Sequence, residues 1–508
     1  MGDRIHPHTR AFEMPNDFVP KTSVLIRFVA IAVFTLLSNQ VYGLQGSGQK
    51  QAVNDQENQA QLSDAQQAEN LRKFKAKREA SFKHVFKLKV SAGEYDRVNE
   101  LVVAPIWFEG IERYPIEMVD EEGNKIFGDI TEPQARKVFE FAKDIEDPND
   151  IGEPKIPAEL TFQLPRLEAG KSITYTCRRV ERDVPPRLYQ WNDDKTKIAT
   201  LNHDGQPIFR SMFEEIDNSS QERREATYKV YHHVFSPDGE RLLTKGPGGK
   251  FPHHRGIFFG YNRISYEVGE PKKADIWHLR KGESQNAEQM LHRDGVTSAR
   301  CMATLSWKGQ DDVPFAVEQR DLLFHKSGDA TCVDVRVMVQ PVLAEMKLAG
   351  DPQHAGVHFR ASQLVPDHTA HLTYYLRPDG KAKPGEFRNW SDKPKETEIN
   401  KAHINLPWLA ICFSLPEVDE DGNVVADSKN FEKYTVCYLN AGSNPKPSRF
   451  SERDYGRFGS YIPTTIPSGE LLSLDYRYWI FKGEKTVEEI DALSKRFENP
   501  VTVELMEE

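Results

Sequence analysis

Between Phe82 and about Glu181 apolar residues occupy alternate positions in short runs, HVFKLKV, LVVAPIWF, PIEMVD, AELTFQL and SITYTCRRV, with turn-forming stretches such as DEEGN and LEAGKS between them. A period of two puts every second side chain on a buried face, so each run predicts a half-buried antiparallel strand. About a hundred residues of this pattern predict a small immunoglobulin-like β-sandwich over residues 82–185.

From Arg187 the runs are longer: GIFFGYNRISY, ARCMATLSW, AVEQRDLLFH, ATCVDVRVMVQ, HAGVHFRASQ, LAICFSL and LLSLDYRYWIF. No helical period separates them, which excludes a doubly wound parallel sheet. The pattern predicts an all-β region, residues 187–508, built as a large antiparallel sandwich of two broad sheets. Only the C-terminus departs from it. In KTVEEIDALSKRF, Thr486 stands as an N-cap with Glu489 three residues on, and Ile490, Leu493 and Phe497 share one face, which predicts a helix packed on the sandwich.

Near the N-terminus Lys21 and Arg27 precede an apolar run from Phe28 to Leu37. It is shorter than the roughly 20 residues that span a bilayer and is followed by Val41-Tyr42-Gly43, the pattern of a secretory signal over residues 1–43. The mature chain would start at Leu44, periplasmic or secreted and free of the membrane; an uncleaved signal anchor is the alternative. Residues 44–81 are rich in Gln, Asn, Asp and Lys and read as a disordered polar linker.

The net charge of −10 over 508 residues argues against a nucleic-acid partner, which requires a basic stripe. Cys177, Cys301, Cys332, Cys412 and Cys437 are odd in number, widely spread and never in C-x-x-C spacing, which excludes a disulfide framework and a cysteine zinc site. Buried free thiols are expected, with one bridge, Cys412 to Cys437 across a hairpin, left open.

Four segments concentrate groups able to do chemistry. In KGPGGKFPHHRGIFFGYN the amides around Gly246, Gly248 and Gly249 could cradle an anion. In an extended chain His253 and Arg255 would share a face, with His254 on the other. In ADIWHLRKGESQ an extended chain would put Asp275 and Trp277 on one face and His278 opposite. His358 and Arg360 of HAGVHFRAS are two apart, side by side on a strand. NPKPSRFSERDYGRFGSYIP gathers Arg449, Glu452, Arg453, Tyr455 and Arg457 in one loop.

FPHHRGIFFGYN, DIWH, AGVHFRAS, NLPWLAICFSL and NPKPSRFSERDYGRFGSY together resemble the secreted bacterial family labelled "methane oxygenase PmoA", from about Tyr228 to Pro500. The resemblance implies an exported protein with a galactose-mutarotase-like supersandwich, of a kind found with carbohydrate catabolism. It supplies no catalytic residues.

The residues themselves point to a carbohydrate-active protein that binds a saccharide, acidic or neutral, for hydrolysis, elimination or epimerisation. His254 or His278 would serve as general base or acid and Tyr455 as a second acid. Trp277 would be an exposed stacking platform. Arg255, Arg360, Arg453 and Arg457 would neutralise a carboxylate or developing oxyanion, with His253, Asp275, His358 and Glu452 completing the binding set. Asp275, Glu318 and Glu452 are the candidate carboxylates, and no cofactor is expected on this reading. The alternatives are a divalent metal on His253, His254, His278 and His358, for which no H-x-x-x-H spacing exists, and a glycan-binding module without catalysis.

Overall fold

Alternation in the sequence becomes pleat in the structure: along Phe86–Ser91, Leu88 and Val90 are fully buried while their neighbours are half-buried. The computed structural model describes residues 85–108, 115–133, 156–180, 185–342, 344–391, 397–426 and 428–506. All lie in one of two compact units, Gln61–Lys137 with Gly152–Glu508. The expected signal and linker fall outside the described residues, among which no helix is long and apolar enough to cross a membrane.

The N-terminal strands form one seven-stranded antiparallel sheet in the order Arg97–Phe108, Ile156–Leu167, Lys125–Thr131, Pro115–Val119, Ser172–Arg179, Phe86–Ser91 and Thr502–Met506. The last strand comes from the far end of the chain and pairs Leu505 with Leu88. Leu88, Val102, Met118 and Phe162 fill this sheet's own core.

Two broad antiparallel sheets make the supersandwich. The eight-stranded one runs Arg449–Arg453, Arg457–Tyr461, Ala355–Arg360, Ile257–Tyr261, Tyr231–Val234, Gln206–Met212, Ile198–His203 and Tyr189–Asp193. The nine-stranded one includes Ala299–Lys308, Pro314–Ser327, Ala330–Pro341, Leu472–Lys482, Phe431–Asn440 and Trp408–Pro416. Their inner faces share one apolar core in which Phe209 meets Phe324 at 4.5 Å and Phe359 meets Tyr478 at 6.4 Å.

Strand Trp408–Pro416 is buried along its whole length because both its faces are covered. Leu409, Ile411 and Phe413 enter the inter-sheet core, whereas Trp408, Ala410 and Cys412 face outward under the C-terminal helix Val487–Glu498. That helix carries the expected capping box between Thr486 and Glu489, and Ile490 is its buried anchor. All five cysteines are free and buried. Cys412 pairs in register with Thr435 and Cys437 with Ala410, so the open Cys412–Cys437 bridge does not form.

On the eight-stranded sheet Ile257, Phe259, Val357 and Phe359 point into the core, so Phe258, His358 and Arg360, one residue out of phase, lie on the opposite face. Two glycines permit close backbone approaches here, Gly256 to the neighbouring strand Tyr231–Val234 and Gly260 to the segment that carries Ile276. A Cβ on Gly256, at φ +36°, would lie 1.9 Å from the His232 carbonyl oxygen, and one on Gly260 would lie 2.6 Å from that of Ile276.

Candidate functional site

Two turns of the same construction meet on this face. Asp275 accepts the backbone N–H groups of Trp277 (3.0 Å) and His278 (2.8 Å) and the His278 Nδ1–H (2.8 Å). Asp351 accepts the Gln353 N–H (2.9 Å) and the His354 Nδ1–H (3.0 Å). A carboxylate can only accept, so each pair places the proton on Nδ1 and leaves the Nε2 lone pair free. Burial works against ionising Asp275, but the bonds from His278 and Trp277 hold its pKa below the usual carboxylate value. The same balance, with His354 as main donor, holds Asp351 lower still. The two imidazoles are 4.6 Å apart between centroids.

His253 closes the group, 4.5 Å from His278 and 5.7 Å from His354 between ring centroids. It is 7% exposed, and neither ring nitrogen has a hydrogen-bond partner. Burial first, then the neighbouring His278, Lys229 and His354, lower its pKa to about 2, which keeps it neutral. Lys229 Nζ donates to the His253 carbonyl (3.0 Å) and the Trp277 carbonyl (2.5 Å), stapling the two loops together. One ligand atom from each of His253, His278 and His354 lies within 4.8 Å of the other two.

Beneath them His254 is stacked near-parallel with His354 (5.8 Å, 25°) and Tyr455 (6.2 Å, 12°) and meets Trp277 edge-on. Burial and the adjacent His253 push its pKa well down, and both its nitrogens lack partners. Arg457 donates from Nη1 to His358 Nδ1 (3.0 Å) and from Nη2 to the Ser451 hydroxyl (2.9 Å). Arg360 donates from Nη1 to the Ala361 and Tyr455 carbonyls and lies 5.0 Å over the Tyr455 ring. Arg360 Nε and Nη2, Arg457 Nε and Trp277 Nε1 are buried donors without partners. Several other buried arginines sit on carboxylates, as Arg300 on Asp321 (2.6 Å), Arg320 on Glu318 (2.7 Å) and Arg377 on Glu452 (2.6 Å). Among the described residues neither Arg360 nor Arg457 does.

The structure thus gathers His253, His254, Trp277, His278, His358, Arg360, Tyr455 and Arg457 on one face, and corrects several expected roles. His253 and His254 precede the strand, which begins at Ile257, and sit in a loop where Phe251 has φ 57°. Asp275 and His278 are partners on one side of a turn rather than on opposite faces. Trp277 is 0% exposed, packed 4.4 Å from Phe258, and offers no open platform.

Arg255 turns away. It donates to the carbonyls of Pro252, Ala226 and Glu225, closing the end of helix Gln221–Thr227, and lies 4.5 Å over Tyr228. Glu452 is taken by Arg377 and the Arg388 N–H, and Glu318 by Arg320, Trp307 and Gln285. Arg453 donates to the Glu452 carbonyl and stacks 5.4 Å from Phe387. In the glycine loop the carbonyls of Gly246 and Gly248 receive Lys245 Nζ, so carbonyl oxygens converge on a lysine amine where amides on an anion were expected.

Asp351 and His354 were not anticipated. The signal was a repeated D-x-x-H, in DIWH at 275–278 and DPQH at 351–354.

Residues 199–495 match the model of a "Family of unknown function (DUF6807)". No PmoA family matches, which overturns the resemblance drawn from the sequence motifs. Two Enterococcus faecalis structures, an α-mannosidase and a protein in glycosyl hydrolase family 38, are similar at 9% identity and TM-score 0.39. The alignments cover 83% and 84% of this chain and 46% and 48% of theirs, so the chain spans about half their length. A galactose mutarotase-like protein from Clostridium acetobutylicum is similar at 12% identity and TM-score 0.31, over 58% of this chain and 99% of that one. No curated protein matches.

Proposed function

The chain belongs to the DUF6807 family, and we propose that it is an exported protein that binds and processes an acidic saccharide at the histidine cluster on the outer face of the eight-stranded sheet. One observation carries this reading: the buried groups without partners there are dominated by donors, on Arg360, Arg457 and Trp277, beside neutral imidazoles. Such a set calls for a ligand rich in acceptor oxygens and negative in charge. Phe251, 40% exposed, and Tyr455, 5.0 Å from it, put aromatic surface beside these polar edges, the mixture a sugar ring requires. Export rests on the apolar run Phe28–Leu37 after Lys21 and Arg27.

The chemistry that fits is proton removal from the carbon next to the sugar carboxylate, the first step of both elimination and epimerisation. Hydrolysis by a carboxylate pair fits poorly, because Asp275 and Asp351 are bound to histidines and Glu318 and Glu452 to arginines. Arg360 and Arg457 would neutralise the ligand carboxylate and the enolate charge that develops on it. His254, neutral and with both nitrogens free, would take the proton, and the bound carboxylate would raise its basicity.

Uronate-containing oligosaccharides, followed by absorbance of unsaturated product and by deuterium exchange at the carbon beside the carboxylate, test this. Turnover or exchange should fall on the order of 100-fold or more in His254→Ala. Absence of both binding and turnover across acidic saccharides overturns the proposal.

A further inference from the structure

We propose that His253, His278 and His354 hold one divalent transition-metal ion through three imidazole nitrogens, with a coordination position left open for a ligand oxygen. The inference concerns the same site as the saccharide reading but does not depend on which ligand binds there.

Four observations converge. The three candidate ligand atoms lie within 4.8 Å of one another, and tetrahedral coordination at a Zn–N distance of about 2.0–2.1 Å needs them roughly 3.3 Å apart. Small rotations about the side-chain bonds supply that closure, since His278 and His354 are only half-buried. Second, Asp275 and Asp351 fix Nδ1–H on His278 and His354, so that Nε2 is the atom left to coordinate; a carboxylate behind a ligating histidine is the usual outer layer of a metal site. These two carboxylates also supply the two negative charges that three neutral imidazoles lack. Third, His253 is buried with both nitrogens unpartnered, a costly arrangement unless something absent from the protein itself meets it. Fourth, Lys229 ties the His253 and Trp277 carbonyls together and so fixes the spacing of the two loops.

This set differs from the one the sequence suggested. His358 Nδ1 already receives the Arg457 guanidinium, and His354 takes its place; His254 stays outside the set, free for proton transfer. Three histidines with an open fourth position are the composition of a catalytic rather than a structural zinc site, and imidazole suits zinc, copper, iron and nickel alike.

The test uses the full chain without a histidine tag, freed of metal by a chelator and then titrated with Zn²⁺ by calorimetry and with Co²⁺ by absorption. One equivalent should bind, with affinity lowered roughly 100-fold or more by His253→Ala, His278→Ala or His354→Ala and about 10- to 100-fold by Asp351→Asn. His254→Ala should leave the stoichiometry at one. Should an alanine variant fail to fold, Asp351→Asn and X-ray absorption of the cobalt-loaded wild type, which should show about three imidazole ligands, decide the matter. No binding at micromolar ion, or binding indifferent to all three histidine substitutions, overturns the site. No saccharide is present in these titrations, so a failed saccharide screen leaves the metal site standing, and a failed titration leaves saccharide binding standing.

Discussion

Asp351 Oδ1 lies 3.0 Å from Nδ1 of His354, three residues along the chain, and the same carboxyl oxygen accepts the Gln353 N–H. One side chain therefore shapes the turn, sets the tautomer and aims the ring. Asp351→Asn keeps the shape and loses the charge, so ligand binding or turnover should fall about 10- to 100-fold with little change in Tm. Asp275→Asn should behave alike. A double-mutant cycle measured by calorimetry should show the two to be coupled, because both dyads serve one cluster.

Trp277 is a core residue that happens to adjoin the site. It packs on Phe258 and under His358, whose ring is 4.8 Å away. Trp277→Ala should cost about 3–5 kcal/mol of stability, read from urea unfolding. A variant that lost ligand binding at unchanged stability would restore the platform role.

Arg255 and Arg360 should differ in ligand binding, not in whether their removal destabilises the fold. Arg255→Ala strips partners from the Glu225 and Ala226 carbonyls and should destabilise by about 1–3 kcal/mol. Arg360→Ala also strips partners from the Ala361 and Tyr455 carbonyls and should cost a similar amount of stability, but in addition it should abolish binding of a carboxylate ligand, because its Nε and Nη2 have no protein partner. Melting curves and ligand titrations of both variants check this contrast.

Lys245 gives a stability signal with a defined sign. Burial first, then Arg360 and Arg255, depress its pKa from 10.5 to about 7. Between those values the unfolded chain carries the proton and the folded chain does not, so this group makes stability rise with pH from about 7 to 10.5. The burial penalty on the charged lysine is in full force below the folded pKa and is relieved as pH rises to the unfolded one. Denaturant unfolding of wild type against Lys245→Met across that window should show the wild-type slope to be the more positive; equal slopes would place the lysine in solvent.

Much of the architecture was legible in the sequence because its causes are local. Alternation decides which residues of Trp408–Pro416 face the inter-sheet core and which face the helix, and Thr486 with Glu489 specifies that helix's start within three residues. The composition of the candidate site was also legible, since histidine and arginine stand out near strand ends. What each side chain touches was not. Whether Arg255 meets a ligand or the end of helix Gln221–Thr227, and whether Trp277 is open or buried, depends on elements distant in sequence that pack against them. The strand Thr502–Met506 joins a sheet whose other strands lie hundreds of residues away, and no local pattern names its partner. His354 meets His278 and His253 from a segment more than seventy residues away in the chain, and at Gly260 the absence of a side chain lets the backbone at Ile276, next to Trp277 and His278, lie against the sheet. Period and capping are properties of neighbours in the chain; the convergence of three imidazoles is a property of packing, and tertiary structure alone decided it.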